Sequence, residues 1–494
     1  MSRPQPSVGP ELRRPHPSTT CVASLKSGSV RPPSGKATGW RISSMAPNAR
    51  KSTQRARLIA GMVQATNRRG YVNASVSAVI AEAKVSRPTF YEYFEDREDC
   101  FAATITDVQT RLKACVSRAL DEGRGQSPHR LAVRALVEFA VAEPARARFL
   151  MAESMAGGTR ALDLRDQGIA QMGSAVESAT QSAGAGAPIA DLDAALLLGS
   201  VYRMIATRLR RGEVAIKGLA DELCGWVQAY ERPAIERRWV PMASAQAPAP
   251  SPHVPDVPIQ QMPSVLPPGR PWIAPAEIAE NHRLRILYAA AKLAESKGAA
   301  ATTVADITKL ARVDGRAFYR LFADKQEAFA AVHELGFQQV MDVTAKAFFA
   351  AEGWPQRSWE AGRALTQLLQ ANPMVAHVGF VEAYAVGPGA VQRIEDSHTA
   401  FLFFLQEGLV HSRDAPPSHV TMEAIIAAIF EILYLAARAP GEPQVAGMLP
   451  YIAHVWLTPF LGCEKSDAFI DSQTPKKVRS PKTRARRAKA TPRE

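Results

Sequence analysis

Apolar residues recur at spacings of three and four through two long blocks of the chain, while alternating strand-like runs bounded by turn signals are scarce. That pattern predicts an all-α protein. Its sharpest stretch begins at Leu58. Ile59, Met62, Val63 and Thr66 share one face of a first helix, and Gly70 stands where a left-handed C-terminal cap is needed. Ser75 is a good N-cap for a second helix whose inward stripe is Val76, Val79, Ile80 and Ala83. Ala83-Lys84-Val85 makes a tight turn. Ser86 then caps a third helix in which Phe90 and Phe94, four apart, both face the core. Three short helices with this turn between the last two form a helix-turn-helix unit, with the third helix placed to enter a major groove.

The same pattern occurs twice. Sliding the sequence on itself by 228 residues aligns Leu58–Phe101 with Ile286–Phe329 without a gap, with nine identities that include Gly70 with Gly298, Phe90 with Phe318, Tyr91 with Tyr319 and Phe94 with Phe322. The repeat continues at an offset of 229, with Ala142-Glu143-Pro144 against Ala371-Asn372-Pro373, Glu153 against Glu382 and Gly158 against Gly387. Long amphipathic helices are expected over Asp191–Arg211 and Val420–Arg438, each followed by another, over Gly218–Glu231 and Gln444–Leu461.

Composition breaks mark the boundaries. Residues 1–50, rich in Pro, Ser and Arg, read as a disordered basic arm. Met45 stands just before the first patterned helix, which leaves a start there open. Pro241 to Pro275 holds eleven prolines in 35 residues, so 239–276 reads as an extended linker able to hold two domains well apart. The end, 466–494, reads as a disordered cationic tail. The expected order is therefore arm, helix-turn-helix 51–100, helical domain 101–238, linker, helix-turn-helix 277–330, helical domain 331–465, tail.

A formal net charge of +13 favours polyanionic partners, nucleic acid or an acidic membrane surface, without choosing between them. No run of eighteen or more apolar residues suggests a spanning helix, and the N-terminus lacks the apolar segment of a secretory signal, so the expected location is cytoplasmic, without a membrane partner. Cys21, Cys100, Cys115, Cys224 and Cys463 lack the spacing of a metal site or disulfide framework, so no metal is expected, nor any cofactor. No phosphate-cradling glycine loop, His-Glu-x-x-His, G-x-S-x-G or spaced carboxylate pair argues for an enzyme.

The run from Val85 to Arg97, Val85-Ser86-Arg87-Pro88-Thr89-Phe90-Tyr91-Glu92-Tyr93-Phe94-Glu95-Asp96-Arg97, resembles the recognition-helix signature of the TetR/AcrR family of regulators, and the resemblance extends over about 50–235 and 276–465. It implies that Ser86, Arg87 and Thr89 approach bases or nearby phosphates, that Tyr91 and Tyr93 bond phosphates through their hydroxyls, and that Arg97 holds the DNA backbone electrostatically. Lys84 occupies a turn position where the family often has glycine and would either strain the turn or reach a phosphate. In the second copy Ala317 replaces the threonine, Leu321 the second tyrosine, and Asp314 would sit near phosphate. Arg316, Tyr319, Arg320 and Lys325 remain as candidate contacts, so that copy is a weaker or differently specific reader.

The resemblance further implies that the last two long helices of each half form a four-helix bundle, with the other half of the same chain as an intrachain pseudo-dimer or with a second chain as a homodimer. It also implies a mostly apolar pocket for a small effector, for which Phe149, Met151, Glu153, His377, Glu382 and Tyr384 are candidate linings. The expected function is sequence-specific, ligand-responsive regulation of transcription on double-stranded DNA, usually repression. The alternative is a basic architectural DNA-binding protein with little sequence preference, its arm and tail neutralising phosphate.

Overall fold

The computed structural model describes residues 47–474, apart from 185, 213–215, 217, 240–246, 255–260, 268–272, 413–415, 440, 442 and 443. The arm up to residue 46 and the cationic end from 475 lie outside the described residues. Lys51–Glu494 forms one compact unit; of the other, Met1–Arg50, the described part is the first turn of α1.

The first half runs α1 (Pro47–Arg69), α2 (Val76–Ala83), α3 (Arg87–Tyr91), α4 (Arg97–Glu122), α5 (Pro128–Ala142), α6 (Pro144–Ala147), α7 (Gly158–Ser182), α8 (Ala194–Arg210) and α9 (Leu219–Gln228). The second runs α10 (Pro275–Lys297), α11 (Val304–Ala311), α12 (Gly315–Leu321), α13 (Lys325–Phe349), α14 (Trp354–Ala371), α15 (Pro373–His377), α16 (Ala383–Val386), α17 (Pro388–Gln406), α18 (His419–Arg438) and α19 (Leu449–Leu461), and ends in α20 (Cys463–Gln473). The fold is all-α, as the periodicity predicts. The one sheet among the described residues is a short antiparallel pair, β1 (Pro188–Ala190) with β2 (Glu231–Pro233), tying the end of the first half back to the start of α8. In both halves a π-turn follows the proline-started helix, Arg148–Ala152 after α6 and Val378–Glu382 after α15.

Where the linker was expected to separate the halves, they are packed together. The reason lies in two apolar faces that neither half buries alone. α18 lies against α8 and α9, burying Ile425, Ile429, Ile432 and Leu433 with Leu197, Leu198, Val201 and Ile205. By length and a mean hydropathy of 1.9 α18 passes for a membrane span, yet it is mostly buried here between other helices and carries Glu423 and Glu431. The linker itself docks in part on α14: the Ser251 N–H donates to Gln367 Oε1 (2.6 Å), and Gln367 Nε2 donates to the Ala249 carbonyl (2.9 Å). Nor does the tail begin at 466. Ile470 is fully buried, Phe469 packs on Trp359, and Asp467 of α20 accepts from Arg232 Nη1 and Trp239 Nε1, both at 2.9 Å. These anchors override a composition that reads as soluble tail.

The contact between halves carries charges of opposite sign. Arg203 of α8 and Glu431 of α18, one from each half, meet across the contact. Glu431 Oε2 accepts from Arg203 Nε (2.6 Å) and Oε1 from Arg165 Nη2 (3.1 Å), with all three side chains nearly fully buried. Burial alone would raise the Glu431 carboxyl, but Arg165 and Arg203 hold it below the usual carboxylate range. Gly199 makes room for it, since a Cβ there would collide with the Glu431 carboxylate. Arg208 reaches Glu423 (2.6 Å), and Arg210 and Arg211 reach Glu395 (3.3 and 3.1 Å). Along α8 the first half supplies the arginines and the second half the glutamates. The sign reverses farther out, where Arg438 meets Asp166 (2.9 Å) and Asp163 (2.5 Å).

Candidate nucleic-acid interface

The third helix of copy one is fixed from beneath and free above. Phe90 and Phe94 are buried with ring centroids 5.8 Å apart, and Ser86 caps α3 by accepting from the Thr89 N–H (3.2 Å). Pro88 sits in the first turn, where its missing N–H costs nothing. This leaves Ser86 and Arg87 exposed, Tyr91 49% exposed and Thr89 half-buried. Arg87 Nη2 lies 3.4 Å from the Tyr91 hydroxyl and its guanidinium lies over the Tyr91 ring, so the two form one polar surface. Ser86 Oγ and Thr89 Oγ1 are hydrogen-bonded at 2.8 Å.

The turn before α3 needs the conformation that glycine would supply without strain. Lys84 has φ 52° and ψ 50°, and its carbonyl accepts from Arg57 Nη2 (2.5 Å), which pins the turn to α1. Its side chain is exposed beside α3.

Two of the sequence candidates are engaged inside the fold. The half-buried Tyr93 donates its hydroxyl to Gln54 Oε1 on α1 (3.0 Å). Arg97 stacks over Tyr71 at 4.5 Å and donates through Nη1 to the carbonyls of Tyr71 (3.3 Å) and Val72 (3.2 Å), closing the loop after α1. Gln54 and Arg57, whose side chains hold this face in place, were not singled out in the sequence, because nothing in an exposed first helix marks which polar residue reaches across.

Copy two repeats the scaffold. Phe318 and Phe322 are buried, Asp314 caps α12 by accepting from the Ala317 N–H (2.7 Å), and Arg312 adopts φ 51° at the turn. That hydrogen bond holds the Asp314 carboxyl below its usual range, so a negative charge stands at the start of α12. Tyr319 is 62% exposed, with Arg316 and Arg320 exposed on the same short helix. Lys325 takes the place of Arg97: its Nζ donates to the carbonyls of Ala299, Ala300 and Thr302 at 3.2, 2.9 and 2.7 Å.

The candidate effector residues divide. Phe149 and Met151 are core residues, with Phe149 packed on Phe101 at 4.8 Å. Glu153 and Glu382 sit at matching joints between the helix-turn-helix unit and the helical domain. Glu382 Oε2 accepts from the Ala299 N–H (2.8 Å), and Glu153 pairs with Arg148 (3.7 Å) and takes a backbone hydrogen bond from Tyr71. Burial raises the Glu153 carboxyl. His377 lies 3.5 Å from Glu382, and both face an open cleft of about 480 Å³ also bordered by Gly298 and Arg438. Tyr384 instead stands at the contact between halves, its hydroxyl accepting from Arg203 Nη1 (3.0 Å). A small apolar cavity of about 40 Å³ in the second half is lined by Phe337, Val340, Phe380, Phe401 and Phe430.

Residues 58–104 and 286–332 each match the family model for bacterial regulatory proteins of the tetR family. An uncharacterized HTH-type transcriptional regulator of Bacillus subtilis strain 168, YdgC, is 34% identical over 68 residues, 14% of this chain and 35% of that protein. The chain thus spans about a third of the length of that relative. A solved structure of a bacterial regulatory protein in the tetR family from Rhodococcus RHA1 aligns at 22% identity over 37% of this chain and 97% of its own, with a TM-score of 0.31.

Proposed function

For a chain that belongs to the tetR family of bacterial regulatory proteins and carries its N-terminal module twice, we propose a DNA-binding transcription regulator in which one chain supplies both recognition helices. The observation that carries this reading is α3: a helix anchored by two buried phenylalanines that presents Ser86, Arg87 and Tyr91 outward, as a helix that reads a major groove must. Arg87 is suited to a guanine edge, Ser86 and Thr89 to bases or phosphate, and Tyr91 and Lys84 to phosphate. Tyr93 and Arg97 position that face rather than touch DNA, being spent on Gln54 and on the loop after α1.

The halves act as an intrachain pair. The support is the opposite charge that the two halves bring to their contact, Arg203, Arg208, Arg210 and Arg211 from the first against Glu431, Glu423 and Glu395 from the second, so each half carries the complement of the other. Unequal recognition helices on such a pair predict an operator that is not a perfect palindrome, with half-sites roughly 34 Å apart. In this reading the protein is a repressor acting in the cytoplasm, and a small effector bound in the helical domains shifts the spacing of the two helices.

The test is retention of genomic DNA fragments by the purified chain at two salt concentrations, with sequencing of what is held, for wild type, Tyr91→Ala and Tyr319→Ala. One discrete site that survives higher salt and is lost with Tyr91→Ala supports the proposal, and Tyr319→Ala reports whether copy two reads DNA. Sequence-blind retention that vanishes with salt and ignores both substitutions would leave only the cationic ends as binder.

A further inference from the structure

Each helix-turn-helix unit is held to its helical domain at the loop that follows its first helix, 70–75 in copy one and 298–303 in copy two. The loop opens on a glycine in the left-handed region, Gly70 at φ 73° and Gly298 at φ 82°. From there it is gripped on two sides. On one side the first residue of α4 or α13 donates to its carbonyls, Arg97 to Tyr71 and Val72, Lys325 to Ala299, Ala300 and Thr302. On the other a carboxylate of the helical domain takes the N–H of the residue after the glycine. Glu382 Oε2 accepts from Ala299 at 2.8 Å, and Glu153 accepts from Tyr71.

Both carboxylates are delivered in the same way. A short helix begun by proline, α6 or α15, runs into a π-turn, and the acid stands at its end, Glu153 just after Arg148–Ala152 and Glu382 as the last residue of Val378–Glu382. Such turns are rare and gather at functional sites; here each one ends on the acid that reaches the loop. Five residues before each acid a side-chain nitrogen lies beside it, from Arg148 at 3.7 Å and from His377 at 3.5 Å. The residue types around the grip differ between the copies. Arg97 corresponds to Lys325, Tyr71 to Ala299 and Arg148 to His377, yet the loop is held from the same two sides in both.

The grip gives a short path to α3 and α12. α3 ends at Tyr91 and α4 begins at Arg97, while α12 ends at Leu321 and α13 begins at Lys325. The cation on the loop is thus the first residue of the helix that follows α3 or α12. At the other end of the path in copy two, Gly379 and Phe380 of the π-turn border the apolar cavity of the second half.

We propose that Glu153 and Glu382 are positioning residues for DNA reading: each passes the placement of its helical domain, through one hydrogen bond to the loop, to the cation that starts α4 or α13 and so to α3 or α12. The consequence for DNA rests on the proposed reading by those helices, while the coupling stands without it. Copy one has a second polar tie at this joint, from Asn67 Nδ2 to the Ala145 carbonyl of α6 (2.7 Å), whereas the corresponding Glu295 pairs with Lys292 on its own helix (2.5 Å). Glu382 is therefore the sharper position to test.

The experiment is hydrogen exchange of the full chain read by mass spectrometry, without DNA, for wild type, Glu382→Ala, Glu382→Gln and Glu153→Ala, with urea unfolding to show that each is folded. Glutamine keeps an oxygen that can accept from the Ala299 N–H. In Glu382→Ala, exchange is expected to rise about tenfold in 298–303 and 314–325, with 70–75 and 86–97 of the same molecules unchanged as an internal reference. Glu382→Gln should stay within about threefold of wild type, and Glu153→Ala should give the mirror image; if Glu382→Ala does not fold, Glu153→Ala, whose joint keeps the Asn67 tie, decides the matter in the same way. On a DNA fragment held specifically by wild type, Glu382→Ala should bind about tenfold more weakly and Glu382→Gln should recover that loss. Unchanged exchange, equal gains in both copies, a gain confined to the loop without 314–325, or a glutamine variant as loose as the alanine one overturns the coupling. Loosened 314–325 with undiminished DNA affinity overturns the positioning role, and a wild type that holds no specific fragment counts against DNA reading while exchange still decides the coupling.

Discussion

Removing the charge of Glu431 tests the pairing of the halves most directly. Its side chain is 2% exposed, and it is the acceptor shared by Arg165 and Arg203, themselves 1% and 6% exposed. Arg165 keeps Asp166 at 2.8 Å and the faces of Tyr202 and Tyr434. Among the described residues Arg203 keeps the Tyr384 hydroxyl and the rings of Tyr384 and Tyr434, with no second carboxylate, so the deficit falls mainly on it. Breaking a buried pair by removing one partner costs about 3–5 kcal/mol, because the other charge stays buried without its counterion. Glu431→Gln keeps the shape and one acceptor oxygen, which places it near 3 kcal/mol; Glu431→Ala adds a cavity and belongs at the upper end. The assay is urea unfolding of the full chain followed by tryptophan fluorescence, with Arg203→Gln and the double variant completing a cycle. A coupling above about 1.5 kcal/mol between the two sites is expected. A loss under about 1 kcal/mol in Glu431→Gln, or additivity in the double variant, would refute the argument that this pair locks the halves together.

Three further outcomes follow from single residues. Lys84→Gly relieves a left-handed φ of 52° and should raise stability by about 0.5–1 kcal/mol, while lowering the log-log salt slope of DNA binding by about 0.9 if the lysine meets a phosphate; thermal melts and binding at graded salt read the two effects separately. His454, buried with Nε2 donating to the Asp191 carbonyl (2.9 Å) and Nδ1 accepting from Thr458 (3.1 Å), is pushed by burial down to about 3. A depressed folded pKa means stability that is whole above the unfolded value near 6.5 and is lost as pH falls toward 3, at up to about 1.4 kcal/mol per pH unit, so His454→Gln should flatten the stability profile between pH 6.5 and 4 by that slope. Arg97→Ala frees the carbonyls of Tyr71 and Val72 and should lower stability by about 1–2 kcal/mol, whereas Arg87→Ala, on an exposed face, should leave melting unchanged and weaken specific DNA binding by about 1–3 kcal/mol.

What the sequence disclosed follows the range of the interactions involved. The helix-turn-helix units were legible because their signals are local: Ser75 and Ser86 cap within three residues, Phe90 and Phe94 pair within four, and Gly70 ends its helix by its own backbone freedom. The left-handed turn at Lys84 was legible only through resemblance, since lysine carries no intrinsic preference for it. The internal partners of Tyr93 and Arg97, Gln54 and the Tyr71 carbonyl, lie 39 and 26 residues away and were not legible from the local pattern. The joints between halves were illegible for the same reason. Asp467 and Asp471 look like ordinary surface acids until Arg232 and Arg238 of the other half close on them. Arg203 and Glu431 look like helix-surface charges until two apolar faces exclude water from both.

The chemistry at that crossing bears on the whole assembly. Where two identical helices cross on a two-fold axis, a residue at the axis faces its own copy, so a buried charge there repels itself and is excluded. A tandem chain lifts the restriction, because the two positions are separate residues and can carry opposite charges. Arg203 against Glu431 is one such pairing of opposite charges, each supplied by a different half. The same freedom extends to α3 and α12: a change at Thr89 need not be matched at Ala317, nor one at Tyr93 at Leu321. Divergence of α3 from α12 and opposite charge at the crossing are both open to a chain that carries the two copies in tandem. They also predict a common failure. On the proposed function, a chain with Glu431→Arg should lose the ordered spacing of α3 and α12, and with it the simultaneous use of two half-sites, although neither helix has been touched. Binding of that variant to a full operator should fall to the level of wild type on a single half-site, and full retention of operator affinity would separate the pairing of the halves from DNA reading altogether.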